Sequence, residues 1–177
     1  MSIRKIFLLS LMAIFSFMIK AEAYEVQIYD GDAETIIRNI NKYCSEKKGF
    51  NTWGKEYYTY QGVKRCEAHF GSNNNNLIRF RLNNDGSVSR ILITTPYVFE
   101  ETTKGGDVLA ICLATLGLNQ SEAVILINNF LNDALSSDTE YLHKKYQVWC
   151  SATQRQVVLD VETNFSTKMD LYLYAYK

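Results

Sequence analysis

A chain of 177 residues, 47% hydrophobic and 21% charged, is long enough for one domain or two small ones and too apolar for a disordered tail. Four cysteines are too few for a disulfide knot. With 19 basic against 19 acidic side chains, no net positive charge exists to displace counterions from phosphates, which argues against a dedicated nucleic-acid binder.

Arg4 and Lys5 give a short basic start, and Ile6 to Ile19 is apolar apart from Ser10 and Ser16. Ala21-Glu22-Ala23 then places small residues at the two positions a signal peptidase reads. The run falls short of the ~20 residues that span a bilayer, so the pattern predicts a leader cleaved after Ala23 and no transmembrane segment in the mature chain. Export to the periplasm or outside the cell follows. Without residues 1–23 the chain keeps 154 residues, with 16 basic against 18 acidic groups. Cys44, Cys66, Cys112 and Cys150 all remain, and an even count in an exported chain predicts two disulfides.

In chain order, Tyr24 to Tyr29 alternates as a short strand. Asp32 caps a helix whose inner face is Ala33, Ile36, Ile37, Ile40 and Cys44, and Gly49 ends it. An extended segment runs from about Tyr57 to Phe70, interrupted near Gly62. Leu77–Leu82 and Val88–Thr94 flank Asn83-Asn84-Asp85-Gly86 as a hairpin, Asp-Gly supplying the positive φ of a tight turn. After Pro96, Tyr97-Val98-Phe99 reads as extended, and Gly105-Gly106-Asp107 opens a helix that Gly117 stops. Asn119 and Glu122 form a capping box for a helix with an apolar face of Ala123, Val124, Ile127, Phe130, Leu131 and Ala134. Strands are expected at about Tyr146–Thr153, Gln156–Thr163 and Lys168–Tyr176.

The two halves match in pattern. Cys66-Glu67-Ala68 and Cys150-Ser151-Ala152 each open a set of three strands. Ile78, Phe80 and Leu82 correspond to Val157, Leu159 and Val161, and Ile91 and Ile93 to Leu171 and Leu173. The expected fold is α+β: two pseudo-repeats of strand–helix–three antiparallel strands, residues 24–96 and 97–177, the second with an extra helix. Helices pack on one face of antiparallel sheet, and the repeats form one globular body. This duplication selects Cys44–Cys66 and Cys112–Cys150 as the disulfides, contributing about 3–4 kcal/mol each in the chain-entropy model. The tandem helix-plus-sheet outline resembles that of bacterial β-lactamase-inhibitory proteins, a likeness of architecture that carries no functional residue across.

Catalytic patterns are sparse. His69 and His143 are the only histidines. Cys66 and His69, three apart on a strand, point to opposite faces, which opposes both a Cys–His nucleophile and a shared zinc. No Gly-x-Ser-x-Gly turn or phosphate-binding glycine loop occurs, and Glu100-Glu101 diverge on an extended chain. No catalytic residue, metal ligand or cofactor is assigned. Two sequons, at Asn119 and Asn164, matter only in a eukaryote.

The outward strand positions are more informative. With Ile78, Phe80 and Leu82 inward, Arg79 and Arg81 face out, joined by Arg90. The corresponding positions of the second half carry Asp160, Glu162 and Asp170. Tyr172, Tyr174 and Tyr176 alternate with Leu171, Leu173 and Ala175 on the last strand, giving an outward tyrosine row of a kind favoured at interfaces. These nine residues are the candidate interaction surface. The functional expectation is an exported, non-enzymatic protein that binds another macromolecule of the envelope or the exterior, an inhibitor or immunity-like factor being one form. The alternatives are a small envelope hydrolase assembled from residues such as Glu67, His69 and His143, or a protein holding a small apolar ligand between helix and sheet.

Overall fold

Local sequence signals fix most of the helix ends. In the computed structural model, which describes residues 25–136 and 140–176, α1 spans Ala33–Lys48. Asp32 Oδ1 accepts from Thr35 N at 2.8 Å at its start, and Gly49 ends it at φ 72°. Helix α2 spans Phe99–Thr115 and α3 Gln120–Ser136. Between them Gly117 takes φ 92°, letting Leu118 N reach Leu113 O at 3.1 Å. The capping box closes reciprocally: Asn119 N donates to Glu122 Oε2 at 2.9 Å and Glu122 N to Asn119 Oδ1 at 3.0 Å. Glu122 also accepts from Ser151 N at 2.9 Å, tying α3 to a strand turn. The cleaved leader expected over residues 1–23 lies outside the described residues.

The strands are β1 (Glu25–Val26), β2 (Thr52–Tyr60), β3 (Val63–Phe70), β4 (Leu77–Leu82), β5 (Val88–Pro96), β6 (Tyr141–Cys150), β7 (Arg155–Asn164) and β8 (Lys168–Tyr176). They form one antiparallel sheet in the order β2-β3-β4-β5-β8-β7-β6, with β1 pairing the end of β8. The last strand in sequence is therefore central, between β5 and β7. One cross-strand row runs Cys66, Phe80, Ile91, Leu173, Leu159, and the next Ala68, Ile78, Ile93, Leu171, Val161. Every member is buried, under Ile36 and Ile40 of α1, Val108 and Leu113 of α2, and Leu126 and Phe130 of α3. Full burial of each large aliphatic or aromatic side chain contributes about 1.5–3 kcal/mol, so these rows supply much of the driving force. The helices are also joined to each other, by Lys48 Nζ–Asp107 Oδ1 at 2.9 Å and Asn39 Nδ2 donating to Thr115 Oγ1 at 3.2 Å.

The fold is α+β, as expected, with three helices against a seven-strand path, but the expected units need correction. The segment from Tyr57 to Phe70 is not one strand: Gln61 and Gly62, both at positive φ, fold it into the β2–β3 hairpin. Four strands of the path thus follow α1, and the second half has two helices and three strands with no opening strand. Tyr97–Phe99 forms no strand: Val98 is extended, at φ −128° and ψ 144°, but as the residue before α2, which already begins at Phe99. On α3, Leu126 is buried while Val124 and Leu131 are about half exposed, so the packed face is Ala123, Leu126, Ile127, Phe130 and Ala134.

The two disulfides are also overturned: Cys44, Cys66, Cys112 and Cys150 are all buried free thiols. Because α1 packs against α2, Cys44 sits in the electrostatic reach of Cys112 and Asp107 rather than near Cys66. Cys66 lies instead against the Tyr57 hydroxyl on the neighbouring strand. Cys150 Sγ is 4.0 Å from Leu116 O, beyond the end of α2. With the disulfides goes the cysteine support for an oxidising compartment.

Gly105 is a close-approach residue inside α2, not a helix start. A Cβ there would collide with the buried Thr95 Cγ2 of β5, whereas a Cβ on the exposed Gly106 meets nothing within 4 Å. Gly106→Ala should therefore stabilise by about 0.5–1 kcal/mol through helix propensity. Gly105→Ala should destabilise by about 1–3 kcal/mol through overpacking. Urea unfolding of the two variants checks the opposite signs.

Candidate functional site on the helix-free sheet face

In an antiparallel sheet, residues in direct cross-strand register share a face. The helices cover one face. On the other, three arginines stand in register across three strands: Arg65 opposite Arg81, and Arg81 opposite Arg90. Tyr58 lies opposite Arg65 at the outer end of this row. One step along, Glu67, Arg79, Leu92, Tyr172, Asp160 and Lys145 form the next row. The outward charged positions of β3–β5 are thus four arginines and one glutamate.

Each side chain has a defined seat. Glu67 Oε2 accepts from Arg79 Nε at 2.6 Å and from the Tyr58 hydroxyl at 2.9 Å. Burial works against the Arg79 charge, but the Glu67 contact outweighs it and raises the arginine above its ordinary value. The Arg65 guanidinium stands 5.0 Å from the Tyr60 ring centroid and that of Arg90 4.9 Å from Tyr174. Arg81, between them, is exposed. Arg65, Arg79, Arg81 and Arg90, with Leu92 and Tyr172, line a concavity of about 280 Å³.

All nine residues of the expected surface lie on this face. The carboxylates of the acidic half, however, already have partners within the chain. His143 Nε2 and Lys145 Nζ approach the Asp160 carboxylate at 3.2 and 3.3 Å. Asp170, 4% exposed, is held by Lys168 Nζ at 2.6 Å and the Thr94 hydroxyl at 2.7 Å. Glu162 accepts from the Tyr141 hydroxyl at 3.1 Å. Hydrogen bonding to Asp170 raises the Lys168 ammonium above its usual range. The tyrosine row is likewise less open than alternation implies. Tyr174 is 3% exposed beneath Arg90 and Lys145, edge-on to Tyr176, while Tyr172 and Tyr176 are partly exposed.

Arg65 is hidden in the sequence because nothing local there divides β2 from β3 as firmly as the turn at Gln61 and Gly62 does in the fold. Its signal is its place beside the inward Cys66, which turns it outward next to Arg81. The residues of the hydrolase alternative do not converge. His69 on β3 and His143 on β6 are separated by five strand spacings, roughly 24 Å. His69 stacks on Trp53 at 4.7 Å with Nδ1 3.2 Å from Asn76 O, and Glu67 serves Arg79. Among the described residues, no group of three or more His, Cys, Asp or Glu side chains could hold a metal, and no helix is long and apolar enough to cross a membrane. No protein-family model, no curated protein and no solved structure matches this chain.

Burial governs the thiols as well, pushing Cys44 up to about 11 and raising Cys66 and Cys112. A raised, buried thiol supplies little thiolate, so the native protein should resist thiol reagents. Alkylation in denaturant without reductant should add four adducts by intact mass. Two or fewer would restore a cystine.

Proposed function

We propose that this protein is an exported, non-enzymatic interaction protein that binds an anionic macromolecular partner through the arginine-bearing half of its helix-free sheet face. The observation that supports this reading best is the register Arg65–Arg81–Arg90. Like charges directly opposite one another on a sheet destabilise it, by up to about 1 kcal/mol per pair. The Arg65–Arg81 pair carries such a cost, which a partner's negative charge relieves. The surrounding Tyr60, Tyr172, Tyr174 and Leu92 give the same patch the aromatic and apolar character of binding surfaces. Export rests on the leader pattern of residues 1–23 alone.

An anion-meeting surface wins over one on which the two charged halves of the face answer each other. Asp160 and Asp170 are already occupied by His143, Lys145 and Lys168, which reduces the charge the acidic half can offer the basic one. The enzyme alternative needs His143 to meet Glu67 and His69, and five strand spacings keep it from them.

Partner capture from envelope extract tests the reading. Arg81→Glu should abolish capture of the partner that wild type retains at low salt, and raising salt should release it, since exposed charges are screened over ~8 Å at physiological ionic strength. The His69→Ala, His143→Ala double variant should capture normally. Equal capture by wild type and Arg81→Glu, or loss in the histidine variant alone, sinks it.

A further inference from the structure

We infer that α3 is the contact between two copies of this chain, its outer face meeting the same face of the second copy antiparallel, about a two-fold axis at Asn128. The inference concerns the helix side of the sheet and is independent of the reading of the helix-free face.

One face of α3 packs on β6 and the core, and the other meets solvent. Surface helices of globular proteins normally carry charge on the solvent side. α1 does so, exposing Arg38, Lys42, Glu46, Lys47 and Lys48. The 17 residues of α3 include only two charged ones, Glu122 and Asp133, and both lie on the flank toward β6. There Glu122 accepts from Asn119 N and Ser151 N, and Asp133 Oδ2 stands 2.9 Å from Lys144 Nζ. At ~100° per residue, the outer side is Ser121, Val124, Ile125, Asn128, Leu131 and Asn132, all exposed and none charged. Val124, Ile125 and Leu131 are half-exposed apolar side chains. Apolar groups in a surround depleted of charge mark the centre of an interface rather than a solvated surface.

The arrangement on this face fits a second copy. Asn128 is the middle residue of Gln120–Ser136. Ile125 comes three residues before it and Leu131 three after, and the ~100° step sets them on opposite flanks of Asn128. A half-turn about an axis through Asn128 exchanges those two positions, so the second copy's Leu131 lies over Ile125 and the reverse. Val124 and Asn132 exchange in the same way. At the axis Asn128 meets its own copy. A carboxamide both donates and accepts, so two of them close a reciprocal pair, which a charged side chain cannot do with itself. Asparagine at such a helix seam is a known means of fixing register. A different partner would need an uncharged, amide-bearing surface of matching shape, whereas a two-fold contact supplies that match from the face itself.

A helix of this length is ~25 Å long and ~10 Å across, so two in contact bury on the order of 1,000 Å² in total. That is the low end for a specific interface and points to micromolar dissociation. The helix layer and the helix-free face are opposite sides of one sheet, so pairing through α3 leaves both copies of the latter uncovered. A target with two binding sites would then be held by both.

Sedimentation velocity of the purified protein between ~1 and ~500 µM tests the contact. Wild type should pass from monomer to dimer over that range. Asn128→Asp sets two carboxylates at the axis, and Ile125→Glu sets one beneath the second copy's Leu131. Each should raise the dissociation constant about a hundredfold or more, with the circular dichroism and Tm of dilute protein unchanged because both positions are exposed in the monomer. Leu131→Lys should be monomeric alone for the same reason. Mixing Ile125→Glu with Leu131→Lys should restore a heterodimer to within about tenfold of wild type. The exchange there opposes the new carboxylate to the new ammonium and leaves one Ile125–Leu131 contact intact. A wild type that stays monomeric throughout, a dimer indifferent to Asn128→Asp or to Ile125→Glu, or a mixture of the two charge variants that stays monomeric overturns the inference.

Discussion

The pairing of β5 with β8 is the constraint on which everything else in this molecule hangs. It joins four strands from the first half of the chain to three from the second, and it does so in one register, Ile91 opposite Leu173 and Leu92 opposite Tyr172. That alignment completes the buried rows under the helices and sets Arg90 against Tyr174 on the other face. Side chains alternate with period two, so a slip of one residue would turn arginines into the core and leucines into water. The hydrophobic requirement of one face therefore fixes the placement of charge on the other.

The two halves of the helix-free face solve the same problem differently. Over β7 and β8, acidic groups sink between cations from β6 and β8 itself, and Tyr174 and Val158 are buried beneath this layer. Over β3 to β5, Glu67 seats Arg79, while the aromatic rings seat Arg65 and Arg90. Partly exposed ion pairs of this sort contribute little stability, about 0–1 kcal/mol each. Their effect is geometric: they fix where each guanidinium group stands on the face. The free edges of the sheet are guarded too. β2 carries an irregularity between Trp53 and Glu56 with Gly54 at φ 63°, and β6 presents His143, Lys144 and Lys145. Bulges and charge are the usual means by which edge strands avoid pairing with other chains.

Much of this was legible in the sequence, for reasons that can be named. Asp32, Gly49, Gly117 and the Asn119–Glu122 box act within a few residues, so their chemistry reads locally. So does the Asp85-Gly86 hairpin, and with it the outward placement of Arg79, Arg81 and Arg90. What escaped depends on distant partners. Gly105 resembles a helix opener until Thr95 of β5 is set against it. On α3, Val124, Leu126 and Leu131 are all apolar, and which of them is buried follows from the side of the helix that packs on β6. The cysteines misled for the same reason: a duplicated pattern suggested that each helix clasps its own strands, whereas α1 leans on α2 and turns Cys44 that way. Arg65, hidden in an undivided strand, completes the site only once Gln61 and Gly62 make their turn.

The position of β8 has a further consequence, in the order of events as the chain is made. Of the described strands, the one made last is the one the others await: β5 and β7 both border β8, and β1, the first described strand, pairs with its final residues. A β2–β5 meander can form early, but its inner edge stays unpaired until β8 arrives. Contacts of such long sequence separation make folding slow, and they leave apolar strand edges open while it proceeds. The sheet cannot close before β8 has been made, so a growing chain stays incompletely folded throughout the synthesis of β2 to β7.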